Sequence, residues 1–303
     1  MVSGPMLKGV VKGGKVAVKK TKDANKAKKL LVMFRLRTCS KVNPRNFKKT
    51  GGTLVKREKI YLSTIDEQAH SLARTYGLGL EIAEYCTAWN MDEHFAETDA
   101  LVKEKINGIP NRILHGPFNE LFPCAIDPLA RNLAAQRFSQ ASSLAGAYGV
   151  KKIVLHGGYN PKIYYPIWYT EQSVAFWKAF IQSVPTDMVI CLENVLEEEP
   201  LMILDIIRGV DDARLQMCLD IGHVNAYSNI SVFEWIRTCK AKISHFHIHN
   251  NDGTADTHNA LMDGTMQMSD ILQQISRECP DATWTLECPD AKSSVEWIIE
   301  LED

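Results

Sequence analysis

From Lys59 onward, short apolar runs alternate eight times with longer stretches that carry apolar residues at helical spacing. The short runs are IYLST (60–64), LGLEI (78–82), RILH (112–115), KKIVLH (151–156), MVICLE (188–193), LQMCLD (215–220), ISHFHIH (243–249) and TWTLE (283–287). Runs of that length predict strands. The stretch 128–148 sets Leu129, Leu133, Phe138, Ala141 and Leu144 near one helical face, which predicts a helix. Parallel neighbours need a crossover connection, so an unbroken strand–helix alternation implies a parallel sheet. Eight such units in roughly 245 residues fit a closed (β/α)8 TIM barrel. A doubly wound open sheet is the alternative, but the Gly-rich phosphate turn usual after its first strand is replaced here by Thr64, Ile65 and Asp66.

The predicted strands end in chemistry. Strand two ends near Glu81, strand three at His115, strand four at His156, strand five at Glu193 and strand six at Asp220, with His223 just beyond. Strand seven ends at His247 and His249, followed by Asp256 and His258, and strand eight ends at Glu287. Side chains at these ends converge on one mouth of a barrel, where such enzymes place their active sites. The densest stretch, ISHFHIHNNDGTADTH (243–258), holds four of the nine histidines. Imidazoles and carboxylates on a strand end and its following loop suit a divalent cation, although a set of satisfied surface histidines is the plainer reading. Glu81 alone could equally be a structural ion-pair partner.

Charge divides the chain in two. Residues 1–58 hold 17 Lys and Arg against two acids, Asp23 and Glu58, while the remainder holds 18 basic and 34 acidic residues. The Lys-rich, Gly-punctuated leader 1–58 reads as a disordered basic extension to the domain 59–303. It is either an arm for anionic partners or a solvated tail; an organelle transit peptide is disfavoured by Lys in place of Arg and Ser, and the apolar core of a secretory signal is missing. No apolar run reaches 18 residues, so no membrane partner is expected. The eight cysteines form no CxxC pair and several sit in apolar runs, as small buried hydrophobes of a reducing, cytoplasmic compartment do.

HGPF (115–118), HGG (156–158), LEN (192–194), CLDIGH (218–223), HIHNNDG (247–253), DTH (256–258) and LEC (286–288) together resemble the xylose-isomerase-like barrel superfamily. That superfamily includes sugar and sugar-phosphate isomerases and epimerases, inosose-processing enzymes and endonuclease IV. The resemblance covers Lys59 to the C-terminus. In its isomerase branch it implies a four-ligand divalent site (Mn, Mg, Co or Zn) at Glu193, Asp220, His247 and Glu287; His249 is the fallback ligand if the strand register turns His247 outward. The two glutamates are then the acid–base pair, and His223 contacts substrate. In the endonuclease IV branch, an AP endonuclease family 2-like phosphodiesterase, it implies a multinuclear zinc centre with His115, His156, His223, Asp256 and His258 as further ligands.

The isomerase reading needs a Lewis acid and a carboxylate on each reacting face, which Glu193 and Glu287 on strands five and eight would supply to a small carbohydrate. The phosphodiesterase reading needs two or more metals and nucleic acid as partner. The acidic barrel disfavours that partner, as do Ile221-Gly222 and the HIHNND run where the endonuclease pattern differs. A barrel that keeps the fold without chemistry is a third class, disfavoured by intact acids at every matched position. A homo-oligomer is compatible with the sequence. Trp89, Phe118, Trp168 and Tyr169 are expected in loops above the mouth, where they would wall a sugar pocket or simply pack. The aromatic run 159–170 is the expected lid, with Lys162 placed to meet a substrate anion or else to be solvated. Gly253 and Gly264 are expected to serve the turns around Asp256 and His258.

Overall fold

The computed structural model describes residues 55–302. Residues 1–54 and Asp303, and with them nearly all of the basic extension, lie outside the described residues. The eight predicted strands are all present: β1 (Ile60–Ser63), β2 (Gly79–Ile82), β3 (Arg112–His115), β4 (Lys152–His156), β5 (Val189–Glu193), β6 (Leu215–Asp220), β7 (Ile243–Ile248) and β8 (Thr283–Leu286). They pair in parallel in sequence order, and β1 also pairs with β8, so the sheet closes into a barrel. The open-sheet alternative is thereby excluded.

Helices α1 (Ala69–Tyr76), α2 (Ala88–Met91), α3 (Phe95–Lys105), α4 (Pro128–Ala147), α5 (Pro166–Phe180), α6 (Pro200–Val210), α7 (Ile221–Tyr227), α8 (Val232–Cys239), α9 (Met268–Glu278) and α10 (Lys292–Glu302) fill the connections. Three of them, α4, α5 and α6, begin with proline at the first helical position, where its missing N–H has no partner to lose. The Asp127 side chain caps α4 by accepting from Leu129 N, and Ser231 caps α8 by accepting from Glu234 N. None of the helices among the described residues is long and apolar enough to cross a membrane.

Outward strand residues such as Leu62, Leu80, Leu114, Leu155 and Leu219 pack with the helices in one large apolar layer. Inside the barrel a smaller cluster of Tyr61, Ile113, Val154, Cys191 and Cys218 fills the lower part. Above it the inward positions turn polar, because the strand period of two that carries Val154, Cys191 and Cys218 inward also carries His156, Glu193 and Asp220 inward one step later. All seven described cysteines are free and six are buried, as their apolar surroundings predict.

The aromatic run 159–170 differs from expectation. Pro166 starts α5, so only the stretch up to Tyr165 is loop; Tyr169 is fully buried on the helix and Trp168 donates from Nε1 to Cys124 O at 3.0 Å. An N-terminal proline outweighed the loop-like composition of the run.

Candidate metal centre

β5, β6, β7 and β8 bring four side chains together at the C-terminal mouth. His247 Nδ1 lies 3.2 Å from Glu193 Oε1, 3.1 Å from Glu287 Oε2 and 3.8 Å from Asp220 Oδ2. All four residues are buried. Asp220 has two tasks. Its Oδ1 accepts from His223 N at 2.7 Å and so caps α7, while Oδ2 faces the histidines. Asn194 fixes it from the next strand: Asp220 N donates to Asn194 Oδ1 at 2.9 Å, and Asn194 Nδ2 donates to Asp220 O at 3.0 Å.

Two further triads flank this group. His115 Nε2 and His156 Nε2 approach Glu193 Oε2 at 3.3 and 3.1 Å. On the other side Asp256 Oδ2 faces His223 Nε2 at 3.1 Å and His258 Nε2 at 2.9 Å. Each triad presents its ligand atoms within 4.8 Å of one another. His249 reaches Asp220 Oδ2 at 3.2 Å from Nε2 and stacks on His258 with ring centroids 4.1 Å apart. His247, two residues earlier, therefore takes the central position and His249 sits beside it, between Asp220 and the Asp256 loop.

Four of the imidazoles share one design. The remaining ring nitrogen of His115 meets Gly116 O at 3.0 Å, that of His223 meets Asn194 O at 2.8 Å, that of His258 meets Glu287 O at 2.9 Å and that of His247 meets Glu81 Oε1 at 2.9 Å. Those acceptors need an N–H, which leaves the opposite nitrogen of each ring as a lone pair aimed at carboxylates. Lone pairs facing carboxylate oxygens are repulsive unless a proton or a cation lies between them, and this tethering through the second nitrogen is how metal-ligating histidines are held. Glu193 Oε2, Asp256 Oδ1 and His249 Nδ1 are buried without a hydrogen-bond partner. The donor set thus fits a divalent cation bound by nitrogen and oxygen.

Without a cation, protons take its place. Burial pushes the Glu193 carboxyl up, but the charges of His247 and His156 and the close approach of His115 outweigh it and hold the group well below the usual range. Burial likewise opposes charge on His247, yet Cys218, Glu287, Glu81 and Glu193 raise its pKa well above the ordinary value. Partial burial lowers and Asp256 and Glu287 raise His258, which ends at about 9. His156 moves the other way, because burial and the neighbouring His115 and His223 outweigh Glu193.

The loops that carry the outer triad are tightly fixed. Gly253 turns with φ 79°, and His258 itself adopts φ 49°, a left-handed conformation costly for a residue with a side chain and of the kind that gathers at functional sites. A Cβ on Gly222 would run into the His249 ring, so only glycine lets α7 approach β7 this closely.

Other expected site residues are placed differently. Phe118 stacks on His156 with centroids 4.5 Å apart and walls the triad. Trp89 lies on the short helix α2, is 60% exposed and packs against His94, and Tyr169 is buried against Glu197; the sequence composition around them carried no sign of either arrangement. Lys162 is exposed in the remaining loop. Glu81 lies inside the barrel, 1% exposed, on the edge of the His247 ring away from Glu193 and Glu287. Three participants went unassigned by sequence reasoning: Asn194, His245 and Cys86, whose Sγ lies 3.4 Å from His115 Nδ1. Asn194 was within reach, because it directly follows Glu193 in the LEN motif.

A closed parallel barrel with a cluster of buried histidines and carboxylates at its C-terminal mouth defines a TIM-barrel protein whose mouth offers a donor set that fits a divalent cation. The chain belongs to the xylose isomerase-like TIM barrel family, whose model matches residues 72–301. It is similar to the uncharacterized protein MJ1311 of Methanocaldococcus jannaschii, 26% identical over 197 residues, which are 60% of this chain and 66% of that protein, just under two thirds. Among solved structures it shares the fold of the TTHB071 protein from Thermus thermophilus soaked with zinc chloride (TM-score 0.66, 22% identity, 80% of this chain and 97% of that one). It also shares the fold of a D-tagatose 3-epimerase-like protein (TM-score 0.65, 19% identity, 80% and 97%) and of an IolI protein with a bound zinc (TM-score 0.61, 16% identity, 80% and 94%).

Proposed function

We propose that this chain is a divalent-metal-dependent isomerase or epimerase of a small sugar or sugar-like polyol. The observation that carries the reading is that Glu193, at the end of β5, and Glu287, just past β8, approach the same nitrogen of His247 at 3.2 and 3.1 Å with Asp220 beside them. Glu193, Asp220, His247 and Glu287 would hold the metal, which when bound supplies a Lewis acid for substrate oxygens. Glu193 and Glu287 would then flank a substrate carbon, one removing the proton next to the carbonyl and the other returning it. The epimerase-like and zinc-bound proteins of the same fold support this chemistry, as does the acidic barrel, which disfavours polyanionic partners. Replacing Glu193 or Glu287 by Gln is expected to lower turnover at least about 100-fold, because an amide cannot act as a base. Retained turnover in both variants would refute the assignment.

A second reading rests on a specific observation. Glu193 Oε2 is turned toward His115 and His156, and the His223–Asp256–His258 triad completes three adjacent groups, an arrangement suited to two or three metals acting on a phosphate ester. Elemental analysis separates the two: about one tightly held ion per chain is expected for the isomerase, and two or three for the phosphodiesterase.

A further inference from the structure

The inward face of β2 carries a charge that neither reading uses. Glu81 is 1% exposed, inside a barrel whose lower interior is apolar. A lone buried carboxylate is costly, so its retention needs compensating partners. It has three. His247 Nε2 lies 2.9 Å from Oε1, His245 Nε2 lies 3.0 Å from Oε2, and the Thr285 hydroxyl donates to Oε2. All three partners are fully buried. His245 is anchored in turn by Thr283 Oγ1 at 2.7 Å from its Nδ1, and Thr283 accepts from Lys152 Nζ at 2.8 Å.

This arrangement fixes one histidine in both tautomer and direction. A carboxylate can only accept, so His247 must present Nε2–H to Glu81, which leaves the Nδ1 lone pair toward Glu193, Asp220 and Glu287. Thr285 stands opposite His247 in the β7–β8 register, so the same strand pairing that sets His247 also sets a donor to its partner. We propose that Glu81 is a positioning residue for the metal centre: it anchors His247 through Nε2 and so turns Nδ1 into the mouth as the nitrogen that takes a cation. The carboxylate lies on the edge of the His247 ring away from Glu193 and Glu287. This inference rests on the reading of His247 as a metal ligand.

A glutamine at position 81 keeps the size but offers one accepting oxygen and an NH2 group to three donors. One donor must lose its partner or His247 must take the other tautomer, with Nδ1 protonated and unable to bind a cation. The test is titration of the full-length, metal-free chain with cobalt(II), followed by calorimetry and by the visible absorption of the bound ion. Glu81→Gln is expected to weaken cobalt affinity about 10- to 100-fold and to alter the absorption bands, with the far-ultraviolet circular dichroism unchanged. Gln274→Leu removes a side-chain bond to Phe233 O between α9 and α8, away from Glu81 and His247, and is expected to lower the melting temperature with cobalt affinity unaltered. Equal affinity and spectrum in E81Q and the unmodified chain would overturn the proposal, as would an equal loss of affinity in Q274L. If the unmodified chain itself binds no cobalt, the metal-centre reading fails instead. Should E81Q not fold, Thr285→Val removes one donor and leaves the carboxylate in place; a several-fold loss of affinity supports the proposal and no loss contradicts it.

Discussion

At the scale of single residues, Asp220 shows how tightly structure and chemistry are joined. One of its oxygens caps α7 and the other faces His247, His249 and His223. Asparagine is as good an N-cap as aspartate, whereas alanine is not. Asp220→Asn is therefore expected to lose tight metal binding at little cost to the metal-free fold, and Asp220→Ala to destabilise that fold by about 1 kcal/mol more, as read by denaturant unfolding. Protonation is the second handle on this scale. In the metal-free protein His258 is held at about 9 and His247 well above its ordinary value, so a cation must displace protons. Metal affinity should then rise from pH 7 toward pH 9, with proton release measurable by calorimetry in buffers of different ionisation heat. The sign for stability is opposite. A pKa raised from 6.5 to about 9 in the folded state gives His258 a stabilising contribution that is complete below 6.5 and lost as pH rises through about 9.

At the scale of elements, most of the design can be read from the chain. Strand ends at His115, His156, Glu193 and Asp220 fall where the apolar runs stop, because a buried strand must be apolar along its length and can change only at the mouth. The period of two then places His115, His156, Glu193, Asp220 and His247 inward, whereas His223, Asp256 and His258 arrive from α7 and the loop after β7. Loops were less legible. Trp89 and Tyr169 look alike as isolated aromatics in the sequence, yet one is exposed on α2 and the other buried on α5, a difference set by tertiary packing. Glu81 was visible as an acid at a strand end, but its partners His245 and Thr285 come from strands more than 160 residues away along the chain, and no local pattern announces them. The pairing follows only from barrel closure, which sets β2 across the interior from β7 and β8.

At the scale of the whole molecule, the described fold begins slightly before the charge boundary at residue 58. Val55 is buried in the large apolar layer, and Lys59 Nζ donates to Pro280 O at 2.7 Å. A chain beginning at Val55 keeps this buried side chain. A chain beginning at Lys59 should lose about 1.5–3 kcal/mol, the burial of one valine side chain. Equal stability for both shorter chains would mean that Val55 contributes nothing to the fold. The acidic barrel and its cation-ready mouth together favour a small neutral or anionic sugar brought to a metal over a duplex gripped along its length. The most direct measurement is solvent deuterium exchange. The metal-loaded chain is incubated in heavy water with a panel of ketoses and ketose phosphates, with abasic-site DNA as control, and the products are read by mass spectrometry and NMR. The account predicts deuterium at the carbon beside the carbonyl of at least one sugar, lost in E193Q and E287Q, with the DNA intact. Cleavage of the abasic DNA with no exchange into any sugar would contradict it.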